Sequence, residues 1–451
     1  MTNSDMLFQQ IQDLTARIGV IGLGYVGLPL ATTFAQNGYS VLGVDVDRNK
    51  LSRLARDESY IQDVPSSVVA SLRAAEKFTA TDDYAALRAC EVVFICVPTP
   101  MTHQKAPDMT YIESAARGIA GQLRPGQLVI LQSTTYPGTT EEFVLPILNA
   151  TGLQVGKDFF LAFSPERIDP GHTNSKGYDV ANTPKVVGGV TPACTRLAAA
   201  LLGHFTAKVH VVSSPRAAEM CKLLENTFRS VNIALVNELA LLCERMGIDI
   251  WEVVDAARTK PYGYMPFYPG AGVGGHCIPV DPYYLSWKAR EYDFFTRFIE
   301  FAADTNQVMP YHVVDLMTQA LNRARKRLAD SRVLVLGVAF KPNIDDARNS
   351  PAERIIELLV QAGAVVEYSD PFVPQFHAGE DVFHREPIVL NSVPLTQEAL
   401  AACDCAVIVS AHNAFDYAQI VANAPLIVDT ANATRHIQEH REKIVRVGAP
   451  L

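Results

Sequence analysis

Apolar residues fall along this chain in two alternating regimes. Short runs rich in Val, Ile and Leu, of strand length, are separated by longer stretches whose apolar positions recur every three or four residues. Near the start, Arg17–Ile21 predicts a strand that leads through a glycine turn into a helix ending near Asn37-Gly38. Further strands are predicted at 40–45, 91–97 and Leu128–Leu131. The same order returns later. Strand Arg332–Leu336 passes through Gly337 to a helix ending near Ala362-Gly363, followed by strands at 364–370, 406–410 and 426–429. Such runs between helices predict parallel sheets covered on both faces. The fold class expected is therefore α/β, with two Rossmann-like doubly wound domains joined by a helical central domain.

The segment between them has helical periodicity and no good strand. Ser214 reads as an N-cap with Pro215 at the first helical position. Met220, Leu223, Leu224, Phe228, Val231, Leu235 and Leu239 then form an apolar stripe, expected to be core or core shared with a second subunit. Met6, Leu7, Ile11 and Leu14 predict a short packed helix before the first strand. The domains expected are 1–212, 213–327 and 328–451.

Totals narrow the class. At 451 residues the chain is long enough for two or three domains, each with its own core. Its 39 basic and 48 acidic side chains leave a net charge of −9, and no basic tract is present, so a nucleic-acid surface is not expected. Residues 1–16 lack the charge and apolar core of a signal peptide. No apolar run approaches the ~20 residues of a membrane span. Eight scattered cysteines include no C-x-x-C pair, and Cys403 and Cys405 stand too close for an ordinary zinc pair, so no metal is expected. Reduced thiols and a cytoplasmic location follow as the default.

Gly22-Leu23-Gly24-Tyr25-Val26-Gly27 follows a strand and opens a helix, the context in which this glycine spacing binds a dinucleotide pyrophosphate. The helix N-terminus offers free N–H groups and a positive dipole end to phosphate. Asp45 ends the second strand, 23 positions after Gly22, where a carboxylate accepts from a ribose diol and repels a 2′-phosphate. NAD is the expected cofactor, although Arg48 and Lys50 leave an opening for NADP. Ligands in such sheets gather at the carboxyl ends of strands. Three loops begin there: Pro98-Thr99-Pro100, Ser133-Thr134 and Ser164-Pro165-Glu166-Arg167. Each is also ordinary turn chemistry.

The segment from Gly270 to Pro282 sets Cys277 behind four glycines and ahead of Pro279 and Asp281. A thiol displayed in this way reads either as a nucleophile held against a carbonyl or as a small buried hydrophobe beside a turn.

Together these pieces resemble the UDP-glucose/GDP-mannose dehydrogenase family over nearly the whole chain. The matching residues are Ile21 to Leu30, Ser164-Pro165-Glu166-Arg167, Lys222 with Asn226, Gly274-Gly275-His276-Cys277 with Pro279 and Asp281, and Phe340-Lys341. Lys260 to Gly270 is most similar to the branch acting on UDP-N-acetylglucosamine. The resemblance implies NAD-dependent oxidation of a sugar C6 hydroxyl to a carboxylate, through a thiohemiacetal and thioester on Cys277. It implies catalytic roles for Cys277, Lys222, Asn226, Asp281, Glu166 and Thr134. Lys222 and Asn226, four apart, are expected to meet one reacting oxygen, with Asp281 as base or water orienter and Glu166 with Thr134 assisting hydrolysis. Cofactor contacts are expected from Gly22, Gly24, Tyr25, Val26, Gly27, Asp45, Pro98, Thr99, Ser133, Thr134 and Arg348. Substrate contacts are expected from Glu166, Arg167, Lys222, Asn226, Tyr268, Gly274, Phe340 and Lys341. The expected partners are a UDP-sugar and a second copy of the chain, as a homodimer or higher oligomer. UDP-glucose and UDP-N-acetylgalactosamine are alternative substrates. A simple β-hydroxyacid dehydrogenase would need neither Cys277 nor the second α/β domain. A nucleotide-sugar sensor would have no use for Cys277, Lys222 and Asp281 together.

Overall fold

The computed structural model describes every residue except 103, 168–179, 181, 207, 381–383 and 451. The chain forms two compact units: Met1–Glu225 with Trp287–Phe294, and Asn226–Ser286 with Phe295–Leu451.

The first unit is built on eight strands. They are β1 (Arg17–Ile21), β2 (Ser40–Val44), β3 (Phe78–Thr81), β4 (Val92–Ile95), β5 (Leu128–Leu131), β6 (Phe160–Phe163), β7 (Lys185–Gly189) and β8 (Val209–Val211). Their order across the sheet is β3-β2-β1-β4-β5-β6-β7-β8. Ile18, Val20, Val92, Phe94 and Ile130 pack on one face with Leu28 and Phe34 of helix Gly27–Gln36 and Leu197 and Leu201 of helix Pro192–Leu202. Val93, Ile95, Val129 and Leu131 pack on the other with Ile112, Ile119 and Leu148. Both faces are covered, which is why these strands read as unbroken apolar runs. The helix expected before β1 spans Asn3–Gln12 and buries Leu7 and Ile11.

One pairing departs from the parallel expectation. β7 runs antiparallel to β6, with Ala162 opposite Gly189 and Phe163 opposite Gly188. Its first residue, Lys185, therefore lies at the sheet edge where β1, β4, β5 and β6 end.

The second unit carries a five-stranded parallel sheet of β9 (Arg332–Leu336), β10 (Val365–Ser369), β13 (Cys405–Ile408), β14 (Ile427–Asp429) and β15 (Ile444–Arg446), in the order β10-β9-β13-β14-β15. An antiparallel hairpin of β11 (Gln375–Gly379) and β12 (Pro387–Asn391) accompanies it. Val333, Val335, Val407 and Val428 pack against Ile355, Ile356 and Leu359 of helix Pro351–Gln361, and against Met309, Val313 and Leu316 of helix Arg297–Arg323.

Helix Pro215–Met246 gives its first residues to one unit and the rest to the other. Its N-terminus is capped by Ser214, whose Oγ accepts from the Ala217 N–H at 3.2 Å. Of the predicted stripe, Leu223 is fully buried, while Met220, Leu224, Phe228, Leu235 and Leu239 are exposed, with Leu224 at 61%. The helix turns one edge of that stripe inward and leaves the other uncovered by this chain.

Candidate active site

The turn after β1 is shaped by two glycines that could carry no side chain. Gly22 has φ +87°, and a Cβ there would lie 2.5 Å from the Cys96 carbonyl oxygen; a Cβ on Gly27 would lie 1.8 Å from the Gly22 oxygen. Gly24 differs, because a Cβ there meets no protein atom within 4 Å. Its small size leaves room in front of the turn, as a pyrophosphate approaching the backbone requires. Asp45 follows β2 and is almost wholly buried. One carboxylate oxygen accepts from the Leu23 N–H at 2.7 Å and from Lys50 Nζ at 3.1 Å, and the other accepts from the Asp47 N–H at 2.9 Å. Lys50 is thus committed to Asp45, and Arg48 pairs with Asp82 at 3.3 Å. Neither cation is left over for a 2′-phosphate, so the residues present fit NAD better than NADP.

The other predicted loops lie on this same edge, after β4, β5 and β6. Ser133 Oγ donates to the Val97 carbonyl at 2.8 Å, joining two of them. Glu166 accepts from Gln132 Nε2 at 2.8 Å, from the Arg167 N–H at 2.7 Å, and from Lys185 Nζ at 2.8 Å on both oxygens. The Arg167 guanidinium turns to Glu225 on the long helix at 2.6 Å and to the Pro184 carbonyl at 2.8 Å. Lys222, one turn before Asn226, is nine-tenths buried and makes no hydrogen bond or ion pair with the described residues. Thr134 is half-buried in the loop after β5.

In the second unit, the Cys277 loop enters under a polar bracket. Asn237 Oδ1 accepts from the Gly270 N–H at 3.1 Å, and its Nδ2 donates to Asn306 Oδ1 at 2.9 Å. Both asparagines are buried. The glycines then allow close packing on Phe340. A Cβ on Gly274 would lie 2.7 Å from Phe340 Cβ, and one on Gly275, where φ is +90°, would lie 2.9 Å from the ring. The Gly275 N–H donates to the Arg348 carbonyl at 3.0 Å, and Asn349 Nδ2 donates to the Gly275 carbonyl at 2.9 Å. After the loop, the Cys277 carbonyl accepts from the Asp281 N–H at 2.8 Å, which starts helix Asp281–Ala289. The buried Asp281 carboxylate accepts from Asn226 Nδ2 at 2.5 Å. Acid, amide and thiol-bearing turn form one connected unit.

Cys277 is only partly buried, whereas Cys90 and Cys403 are core thiols that burial pushes up to about 11. The His276 ring is directed to Arg348, whose Nη2 lies 3.3 Å from its Nδ1. Arg348 also grips Asp346, through Nε at 2.9 Å and Nη2 at 2.5 Å. Tyr268 stacks on Trp251 with centroids 5.6 Å apart, and its hydroxyl donates to Asp255 at 2.6 Å. Burial pushes that phenol up, and the hydrogen bond to Asp255 adds to the effect. Lys341 is half-buried after Phe340, and Tyr25 and Val26 are half-buried at the glycine turn. Lys185, Gln132, Asn237 and Asn306 are not singled out by any sequence motif. A lysine inside a strand-like run was the one available sign, since a buried lysine requires a partner.

Three sequence models of the UDP-glucose/GDP-mannose dehydrogenase family match this chain: the NAD binding domain at residues 16–206, the central domain at 216–308 and the UDP binding domain at 334–436. A UDP-N-acetyl-D-glucosamine 6-dehydrogenase of Pseudomonas aeruginosa is 38% identical over 401 residues, spanning 88% of this chain and 91% of the relative. A UDP-N-acetyl-D-mannosamine dehydrogenase of Escherichia coli K12 is also 38% identical, over 89% of this chain and 94% of the relative. Among solved structures, a UDP-D-ManNAc dehydrogenase from Pyrococcus horikoshii superposes with a TM-score of 0.85 at 32% identity, covering 96% of this chain and 99% of the other.

Proposed function

The chain belongs to the UDP-glucose/GDP-mannose dehydrogenase family, and from that premise we propose that it oxidises the C6 hydroxyl of UDP-N-acetylglucosamine to a carboxylate. It is an NAD-dependent oxidoreductase acting on an alcohol. Bound NAD supplies a hydride acceptor, used twice for each sugar. Gly22, Gly24, Gly27 and Asp45 would hold it.

The observation that carries the reading is the link from Asn226 to Asp281 and from Asp281 to the Cys277 turn. The amide of Asn226 aims the Asp281 carboxyl group, and as the base Asp281 would take the proton of the C6 hydroxyl. The buried ammonium of Lys222 stabilises the alkoxide that forms. Once the aldehyde exists, the Cys277 sulfur bonds to its carbon and holds it as a thiohemiacetal, which prevents escape. The second oxidation leaves a thioester. Water attacks the acyl carbon, the C–S bond breaks, and the thiolate returns, with Glu166 and Thr134 orienting the water. The balance is one alcohol and one water converted to one carboxylate, with two hydrides delivered and three protons released.

Purified protein given NAD and a panel of UDP-sugars tests this. Two NADH per sugar and the highest kcat/KM for UDP-N-acetylglucosamine are expected. One NADH per sugar would refute the four-electron course, and UDP-glucose as the best substrate would refute the branch. A second reading, UDP-N-acetyl-D-mannosamine, is favoured by the equal identity to the E. coli relative, and the same panel decides it. We further propose a homodimer formed through the exposed edge of helix Pro215–Met246.

A further inference from the structure

We propose that Lys185 is a positioning residue for the hydrolytic half of the reaction, holding Glu166 as an oriented carboxylate at the sheet edge. The inference rests on the role given to Glu166 above. Register places the lysine there. With Phe163 opposite Gly188, continuing the antiparallel ladder three residues beyond β6 brings Glu166 opposite Lys185. Ser164 Oγ, donating to the Val186 carbonyl at 2.8 Å, keeps the two segments together past the last strand residue. A parallel β7 would have started at the far end of the sheet.

The lysine is no solvated surface charge. Its side chain is 1% exposed, and Nζ lies 2.8 Å from each Glu166 oxygen. A buried ammonium that bridges both oxygens fixes the carboxylate plane as well as its charge. Gln132 Nε2 and the Arg167 N–H hold Glu166 from two further sides. Among the groups around it, Cys96 at the end of β4 registers both charges. Burial pushes that thiol up, Glu166 pushes it further and Lys185 opposes, so it stays neutral. The Arg167 guanidinium is turned to Glu225. Lys185 Nζ is thus a cation in direct contact with both Glu166 oxygens. Without it, burial disfavours the charged carboxylate, and a neutral acid is a far weaker base toward the attacking water.

Pre-steady-state NADH release, steady-state kcat over pH, and mass spectrometry of acid-quenched Cys277 test the proposal. For Lys185→Met the first NADH burst should persist, while kcat falls by roughly 100-fold or more, the scale for losing an electrostatic contact at a reacting group. Cys277 thioester should accumulate. The acidic limb of kcat should move alkaline by about one pH unit or more, as expected when a carboxyl group loses a cationic partner. Lys185→Arg should restore most of the rate. In a Glu166→Gln background, Lys185→Met should cost little further, because both changes remove one function. Gln132→Leu, which strands no charge, should give a smaller alkaline shift and serves if Lys185→Met does not fold. Unchanged hydrolysis and pH profile in Lys185→Met or, failing that, Gln132→Leu, with Glu166→Gln impaired, would overturn the proposal alone. Wild-type hydrolysis in Glu166→Gln would overturn the role of Glu166 and the proposal with it.

Discussion

Asp45 and Asp370 occupy matching positions in the two units, and their surroundings separate what each can do. Each carboxylate follows the second strand of its sheet and accepts from the backbone just after the first. Leu23 N–H donates to Asp45 at 2.7 Å, and Val338 N–H donates to Asp370 at 2.7 Å. Asp45 pairs with the partly exposed Lys50, whereas Asp370 is sealed by His412, whose Nε2 lies 3.0 Å away with neither side chain exposed. Burial alone would raise Asp370, but the hydrogen bonds from His412 and the Phe372 N–H prevail and hold it below the usual carboxylate range. One aspartate can meet a ligand; the other organises its own loop. Cys277 belongs with the first kind. Cys277→Ala should abolish carboxylate formation, lowering steady-state turnover by at least about 10³-fold, while NAD and UDP-sugar still bind. Wild-type turnover with normal product would remove the covalent course.

Among the elements, the glycine loop ahead of Cys277 is tightly constrained. Gly275 combines a left-handed φ of +90° with a Phe340 ring that leaves no space for a methyl group. Gly275→Ala should therefore cost about 1–2 kcal/mol from the backbone alone, more from displacing the ring, and should misplace the thiol. We expect kcat to fall by roughly 100-fold, the scale for a misplacement near 1 Å, with NAD affinity kept, as read by initial rates and NAD titration. Full activity in a stably folded variant would show that the close packing has no part in placing Cys277. β7 gives the converse lesson. Its short Lys185–Gly189 run is not among the predicted strands, and its direction is not legible, because either direction buries the same side chains.

For the whole molecule, the exposed edge of the long helix is the feature that one chain does not explain. Met220, Leu224, Phe228, Leu235, Leu239, Leu242 and Met246 are all exposed along it. A contiguous apolar face of this kind marks an interaction surface more often than it occurs on a monomer. Light scattering at micromolar concentration should give at least twice the 49.3 kDa chain mass. A monomeric mass would leave that helix edge without its proposed partner.

Sequence by itself determined the alternation of strand and helix in both α/β regions, the dinucleotide turn with Asp45, and the Cys277 loop. These are local signals, set by residues within a turn or a strand of one another. A glycine with φ +87° at Gly22, or an N-cap at Ser214, is required by its immediate neighbours. Tertiary structure alone decided which distant side chains share a site. It set Lys185 against Glu166, Asn226 against Asp281, Asn237 and Asn306 under the Cys277 loop, and His412 against Asp370. Those pairings depend on strand direction and on helix packing across long stretches of chain. A pattern of hydrophobic and polar residues fixes which face is buried, but several arrangements bury the same faces equally well. The direction of β7 settled which buried charges would meet.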